Sequence, residues 1–92
     1  MTPQTIADIT PNGSAVAIGA AGIKATWIIF VASGNSIRVG DSNVGAARGS
    51  NIPTGVLVVW PRCDFNQGRY DLGSVYVYGG SGSDKVSITY GA

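Results

Sequence analysis

Residues 75–90, VYVYGGSGSDKVSITY, hold two alternating segments around a glycine-rich centre. Val75 and Val77 alternate with Tyr76 and Tyr78, while Val86, Ile88 and Tyr90 alternate with Ser87 and Thr89. A period of two sends successive side chains to opposite faces of a pleated strand, so both segments predict strands. The centre, residues 79–84, admits two readings. GGSGSD matches the start of the repeat that stacks into calcium-binding β-rolls, with Asp84 as the carboxylate. It also suits a flexible hairpin loop between antiparallel strands. A β-roll needs its repeat in tandem, because each unit buries its face only against a neighbour. Nothing upstream repeats the pattern: Gly40-Asp41 and Gly68-Arg69-Tyr70-Asp71 stand alone. The expectation is therefore a hairpin within an antiparallel fold, with no metal and no cofactor.

The rest of the chain carries the same bias. Ten Val, nine Ile and six Thr stand against two Leu and no Glu. Side chains branched at Cβ lose rotamer freedom in a helix and pack well on a pleated sheet. Fourteen Gly and four Pro fall mostly between the apolar runs, where turns require them. No window joins helical apolar spacing to a cap. Strands are expected over residues 5–10, 14–18, 23–32, 37–39, 56–60, 74–78 and 85–90, with loops over 44–53 and 62–70. Within 23–32, Ile23, Ala25, Trp27, Ile29 and Val31 share one face, and Lys24, Thr26, Ile28 and Phe30 the other. The second face starts polar and turns apolar, so that strand should begin at an edge and end covered on both sides.

The fold class that follows is all-β. It is a single antiparallel β-sandwich over residues 1–92, jelly-roll-like, of seven to eight short strands, with a small barrel as the other option. Residues 1–13 are expected to form an N-terminal arm or an edge strand. A chain of 92 residues makes one domain. Surface scaling gives about 5,000 Å² exposed when folded against about 13,600 Å² unfolded. Such a core is thin, and symmetric self-association would strengthen it.

Charge and composition exclude several function classes. Six Lys and Arg oppose five Asp, and the basic residues are scattered singly. That is not the basic stripe that nucleic-acid binding needs. The longest strongly apolar run, residues 27–32, is far short of a membrane span. MTPQTIADITPNGS lacks a basic region followed by an apolar stretch, so no secretory signal is expected. The triplet Asn12-Gly13-Ser14 is formally a glycosylation sequon and carries no weight without such a signal. One cysteine, Cys63, excludes an internal disulfide. Histidine is absent, which removes the commonest zinc ligand and the usual base of a nucleophile pair. The five Asp sit mostly in or beside turns, where the side chain accepts backbone hydrogen bonds. No enzyme activity is expected.

The aromatic residues offer more. If Val75 and Val77 face the core, Tyr76 and Tyr78 stand together on the surface, able to stack on a sugar or pack against another chain. Packing within the fold is the plain alternative. Trp27 and Trp60 suit the core, yet Trp60 is also a candidate interface aromatic beside the tyrosines. Arg38, Arg48 and Arg69 are candidates for pairing with acidic residues of a partner.

One constellation extends beyond composition. It begins with Asn35-Ser36-Ile37-Arg38-Val39-Gly40-Asp41-Ser42-Asn43-Val44 and Arg48-Gly49, and continues with Tyr70-Asp71-Leu72. It closes with Val75-Tyr76-Val77-Tyr78-Gly79 and Asp84-Lys85-Val86-Ser87-Ile88-Thr89-Tyr90. This resembles small structural proteins of tailed bacteriophages. Their first phrase runs N-S-x-x-R-V-G-D-x-N-V, so the turn before Arg38 is one residue shorter here. The resemblance spans roughly residues 23–92 and leaves the first strand region outside it. It implies a β-sandwich fixed to the virion, most simply a capsid decoration (cement) protein. Such a protein would bind the major capsid protein on the capsid surface, would form a homo-oligomer with a trimer favoured, and would pass through the host cytoplasm during assembly. A head-fibre or tail component that binds a receptor or glycan is the alternative it leaves open.

Overall fold

The computed structural model describes residues 3–33, 37–60, 70–80 and 84–91. They form ten strands: β1 (Pro3–Ile9), β2 (Val16–Ala17), β3 (Lys24–Ala25), β4 (Trp27–Ser33), β5 (Ile37–Gly40), β6 (Ser50–Ile52), β7 (Leu57–Trp60), β8 (Tyr70–Asp71), β9 (Tyr76–Gly79) and β10 (Lys85–Gly91). A short 3-10 turn, Leu72–Ser74, precedes β9. Two four-stranded antiparallel sheets, ordered β1-β10-β4-β7 and β2-β9-β5-β6, carry eight of the strands, and β3 and β8 make a separate ribbon.

The sheets stack as a β-sandwich around one apolar cluster. Ile28, Phe30, Val86 and Ile88 enter it from the first sheet, and Ile37, Val39, Ile52 and Val77 from the second. All are 2% exposed or less. The chain's accessible surface, 5071 Å², agrees with the value of about 5,000 Å² that scaling gives for its mass.

The expected hairpin over residues 75–90 is not formed. β9 pairs with β2 and β5, whereas β10 pairs with β1 and β4. Residues 80–84 therefore carry the chain from one sheet to the other. Hairpin pairing would set Val77 and Val86 in one sheet; the crossover lets them meet from opposite sides of the core. It is also tightly packed at its start. A Cβ on Gly79 would lie 2.8 Å from the Ile37 Cδ1 and 2.9 Å from the Asp84 Cβ. Asp84 itself is 1% exposed, so it is not the open loop residue that the hairpin reading required. Ser81 to Ser83 of this stretch lie outside the described residues.

The single strand expected over 23–32 is broken at Thr26, whose amide donates to the Gly91 carbonyl at 2.6 Å. The break shifts the parity of inward residues. Ala25 is buried before it and Ile28, Phe30 and Ala32 after it, so the face that starts polar is the one that fills the core. Trp27, Ile29 and Val31 are half-buried on the outer face. Residues 44–53, expected as a loop, contain β6, which pairs with β5 through Ile37↔Ile52. β1 is the edge strand expected of the N-terminal segment, and a bulge between Ile6 and Ile9 interrupts its ladder with β10. Edge bulges of this kind hinder unwanted strand addition.

Candidate functional site

β9 supplies the tyrosine pair. Val77 is fully buried and Val75 nearly so, which turns Tyr76 and Tyr78 outward, both half-buried. In the ladder, Arg38 of β5 stands opposite Tyr78, and Gly40 opposite Tyr76. Directly opposed residues project from the same face, so Arg38 joins the tyrosines on the outside of the second sheet. Asn51 of β6 extends the face beyond Arg38, and Ala17 of β2 borders Tyr76 on the other side. Small residues at 17 and 40 leave the Tyr76 ring unscreened by its cross-strand neighbours.

The loop between β5 and β6 holds Arg38 in place. Arg38 Nη1 donates to the Gly49 carbonyl at 2.9 Å. Gly49 has φ +106°, and a Cβ there would fall 2.5 Å from the Val44 Cγ2 and 2.9 Å from the Val39 carbonyl oxygen. Only glycine fits. Asp41 closes an Asx turn, as expected for this loop, by accepting from the Asn43 amide at 2.9 Å. Arg48 is exposed on a tight turn whose amides and carbonyls bond reciprocally with Gly45. Beside it lies a shallow open groove of about 370 Å³, lined by Val39, Gly40, Asp41, Arg48, Gly49 and Ser50. The Gly49 carbonyl that Arg38 meets is uncharged, so this contact leaves the positive charge of the guanidinium unneutralised.

Trp60 stands elsewhere. It lies on β7, in the other sheet, and packs against the core cluster. Its ring meets Phe30 edge-on at 5.2 Å and Tyr70 at 5.4 Å. The structure thus brings Tyr76, Tyr78, Arg38 and Arg48 to one side of the molecule and separates Trp60 from them. Arg69 and Cys63 lie outside the described residues.

A second surface was not legible as one. Val56, Leu57 and Val59 are 50%, 57% and 48% exposed. Leu57 and Val59 pair with Val31 and Ile29 of β4, so the four share the outer face of the first sheet at its β7 edge. The run Val56-Leu57-Val58-Val59-Trp60 reads as a strand covered on both sides. No layer of described residues covers it. Apolar residues on both faces of an edge strand with no charge among them were the available signal.

The polar β3–β8 ribbon has a structural role. Asp71 caps the 3-10 turn by accepting from the Gly73 amide at 2.9 Å, accepts from the Gly22 amide at 3.2 Å, and pairs with Lys24 at 3.1 Å. The Lys24 hydrogen bond, followed by the backbone donors, holds its carboxyl below the ordinary value of 3.8. A carboxylate with a depressed folded pKa stabilises above its unfolded pKa, and that contribution disappears as pH falls through the folded value. Asp71→Asn is therefore expected to melt at a lower temperature than the parent at neutral pH. The two melting curves should converge as pH drops through the range below 3.8. A constant gap across acid pH would mean that the charge is not what matters. The pair is partly exposed, 47% and 29%, so water and salt screen it and the effect is small.

Among the described residues no three of His, Cys, Asp and Glu gather as a metal site would require. No protein-family model, no curated protein and no solved structure matches this chain.

Proposed function

We propose that this chain is a bacteriophage virion structural protein, a capsid decoration (cement) protein that stabilises the head shell by bridging neighbouring capsid subunits. The phage assignment rests on the resemblance of residues 35–49 and 70–90 to small structural proteins of tailed phages. The bridging role rests on one observation: two unlike adhesive surfaces point away from each other on opposite sheets. One is aromatic and cationic, with Tyr76, Tyr78, Arg38 and Arg48; the other is apolar, with Val56, Leu57 and Val59. A block with two such faces holds two neighbours at once. Weak contacts made simultaneously gain strength through effective concentration, so shell expansion must break them together.

We read the sandwich as a jelly roll. Leaving the β3–β8 ribbon aside, the chain visits the sheets in the order first, second, first, second, second, first, second, first, a sequence that reads the same from either end. Double Greek keys of this type occur in capsid and lectin domains. In the proposed assembly the protein sits on the major capsid protein, as a trimer where capsomers meet.

The tyrosine pair, with the groove beside Arg48 reached across Gly40, favours a second reading, in which a head-fibre or tail component stacks a sugar on the tyrosines. Copy number separates the two. Quantitative densitometry of purified virions should find the cement protein in numbers comparable with the major capsid protein, and a fibre or tail component in a handful of copies. Particles assembled without the protein are expected to lose their genome at lower temperature or under milder osmotic shock. Equal survival of both particle types would remove the cement reading.

A further inference from the structure

Asn12-Gly13 turns the chain from β1 toward β2. Of the five asparagines, only Asn12 precedes a glycine. Both residues are exposed and both lie in the left-handed region, at φ 51° and 85°. The Ser14 amide closes the turn on the Pro11 carbonyl at 3.3 Å, the mirror-image geometry that Asn-Gly favours. Gly13 also reaches into the second sheet: its N–H donates to the carbonyl of buried Gly79 at 2.6 Å.

That amide nitrogen is the nucleophile in asparagine deamidation, and a following glycine, having no Cβ, leaves its approach open. We propose that Asn12 is a spontaneous deamidation site whose rate is set by the Gly13–Gly79 hydrogen bond. Hydroxide takes the Gly13 N–H proton. The nitrogen bonds to Cγ of Asn12, the bond from Cγ to Nδ2 breaks, and ammonia leaves with a proton from water. The resulting cyclic imide adds one water at either carbonyl and opens to aspartate or isoaspartate. Nothing is oxidised or reduced. While Gly13 donates to Gly79, deprotonation would strip a buried carbonyl of this donor. The reaction therefore proceeds from the state in which the corner has opened away from β9.

The product matters to the fold. Either acid lowers the formal net charge of +1 by one unit. Isoaspartate also adds a main-chain carbon, so the corner can no longer keep both the turn and its bond to Gly79. Among the described strands β1 borders β10 alone, so loss of the Gly13–Gly79 bond weakens its link to the second sheet. Conversion thus marks aged chains with a loosened first strand.

Peptide mapping by mass spectrometry tests this on the full chain, kept at neutral pH and body temperature both folded and in denaturing urea. Conversion at residue 12 is expected in both, at least about tenfold slower in the folded chain, as protection by a local opening equilibrium requires. Below the unfolding midpoint, its rate should rise with urea in step with Gly13 amide hydrogen exchange. Equal rates in the two states would overturn the control by Gly79, and no conversion in urea would overturn the site. Asn12→Asp should abolish the mass change; persistence of that change would place the reaction at another residue and also overturn it.

Discussion

Phe30→Ala is expected to remove about 3–5 kcal/mol of folding stability, the range for emptying a buried aromatic site. Phe30 has no exposed surface and lies in β4, flanked by β10 and β7. Its pairs in those strands are Ile88 and Val58. Trp60 packs edge-on against its ring, a geometry that adds about 0.5–1.5 kcal/mol beyond area burial. The void would open where both sheets and the edge tryptophan converge, and strands held in ladders cannot collapse far to refill it. Small domains hold only about 5–15 kcal/mol in all. The variant should therefore lose a large share of its folding stability. Urea denaturation followed by circular dichroism reads the effect as a drop in midpoint at unchanged slope. Phe30→Leu, which keeps most of the volume, should retain most of the stability. A loss below about 1 kcal/mol for the alanine variant, the level of an ordinary surface change, would mean that the core is not centred on Phe30.

The second large effect concerns adhesion. Tyr76→Ser with Tyr78→Ser is expected to weaken binding to capsid shells by about 30-fold to 1,000-fold, corresponding to about 2–4 kcal/mol for two interface aromatics. Folding should survive, because the neighbouring residues that fill the core are Val75 and Val77. Val77→Ser is the counterpart: it buries a hydroxyl in the core and should unfold the chain instead of sparing it. Arg38→Ala should remove the part of the affinity that falls with salt. Sedimentation of purified shells with each variant, alongside thermal melts, separates the outcomes. Undiminished binding by the double tyrosine variant would end the case for this face. Loss of binding with loss of the melt would show only that the tyrosines belong to the fold.

The elements and the ladder partners were unequally legible. Alternation marked Val86 and Ile88 as the inward side chains of β10, but for β9 it left two faces open, valine or tyrosine, and the burial of Val77 made the choice. It carried no information on whether the two strands pair. A short glycine-rich link serves a hairpin and a crossover equally well, and the choice is made by strands far away in the chain: β5 and β2 on one side, β4 and β1 on the other. The break at Thr26 escaped for a related reason. A residue that turns its amide toward Gly91 does so because of a partner some 65 positions later, and local propensity is silent about that. β6 was hidden by Ser50 and Asn51, polar residues with low strand preference that pair only because Ile52 fits the core. Of the candidate face, the tyrosine pair was visible as a stripe. Its union with Arg38 needed the β5–β9 register. The apolar β7 edge reads in the sequence like a core strand, because hydropathy records what a residue avoids, and not whether anything covers it.

Placing β10 between β1 and β4 has a consequence for biosynthesis. A chain emerging from the ribosome has residues 3–9 and 27–33 outside the tunnel long before the strand that joins them. Until residues 85–91 follow, the first sheet lacks the strand that joins β1 to β4, and the facing borders of those two strands are open to other nascent chains. Folding of this sandwich therefore waits on its last strand, and crowded polysomes are where its losses to aggregation will concentrate.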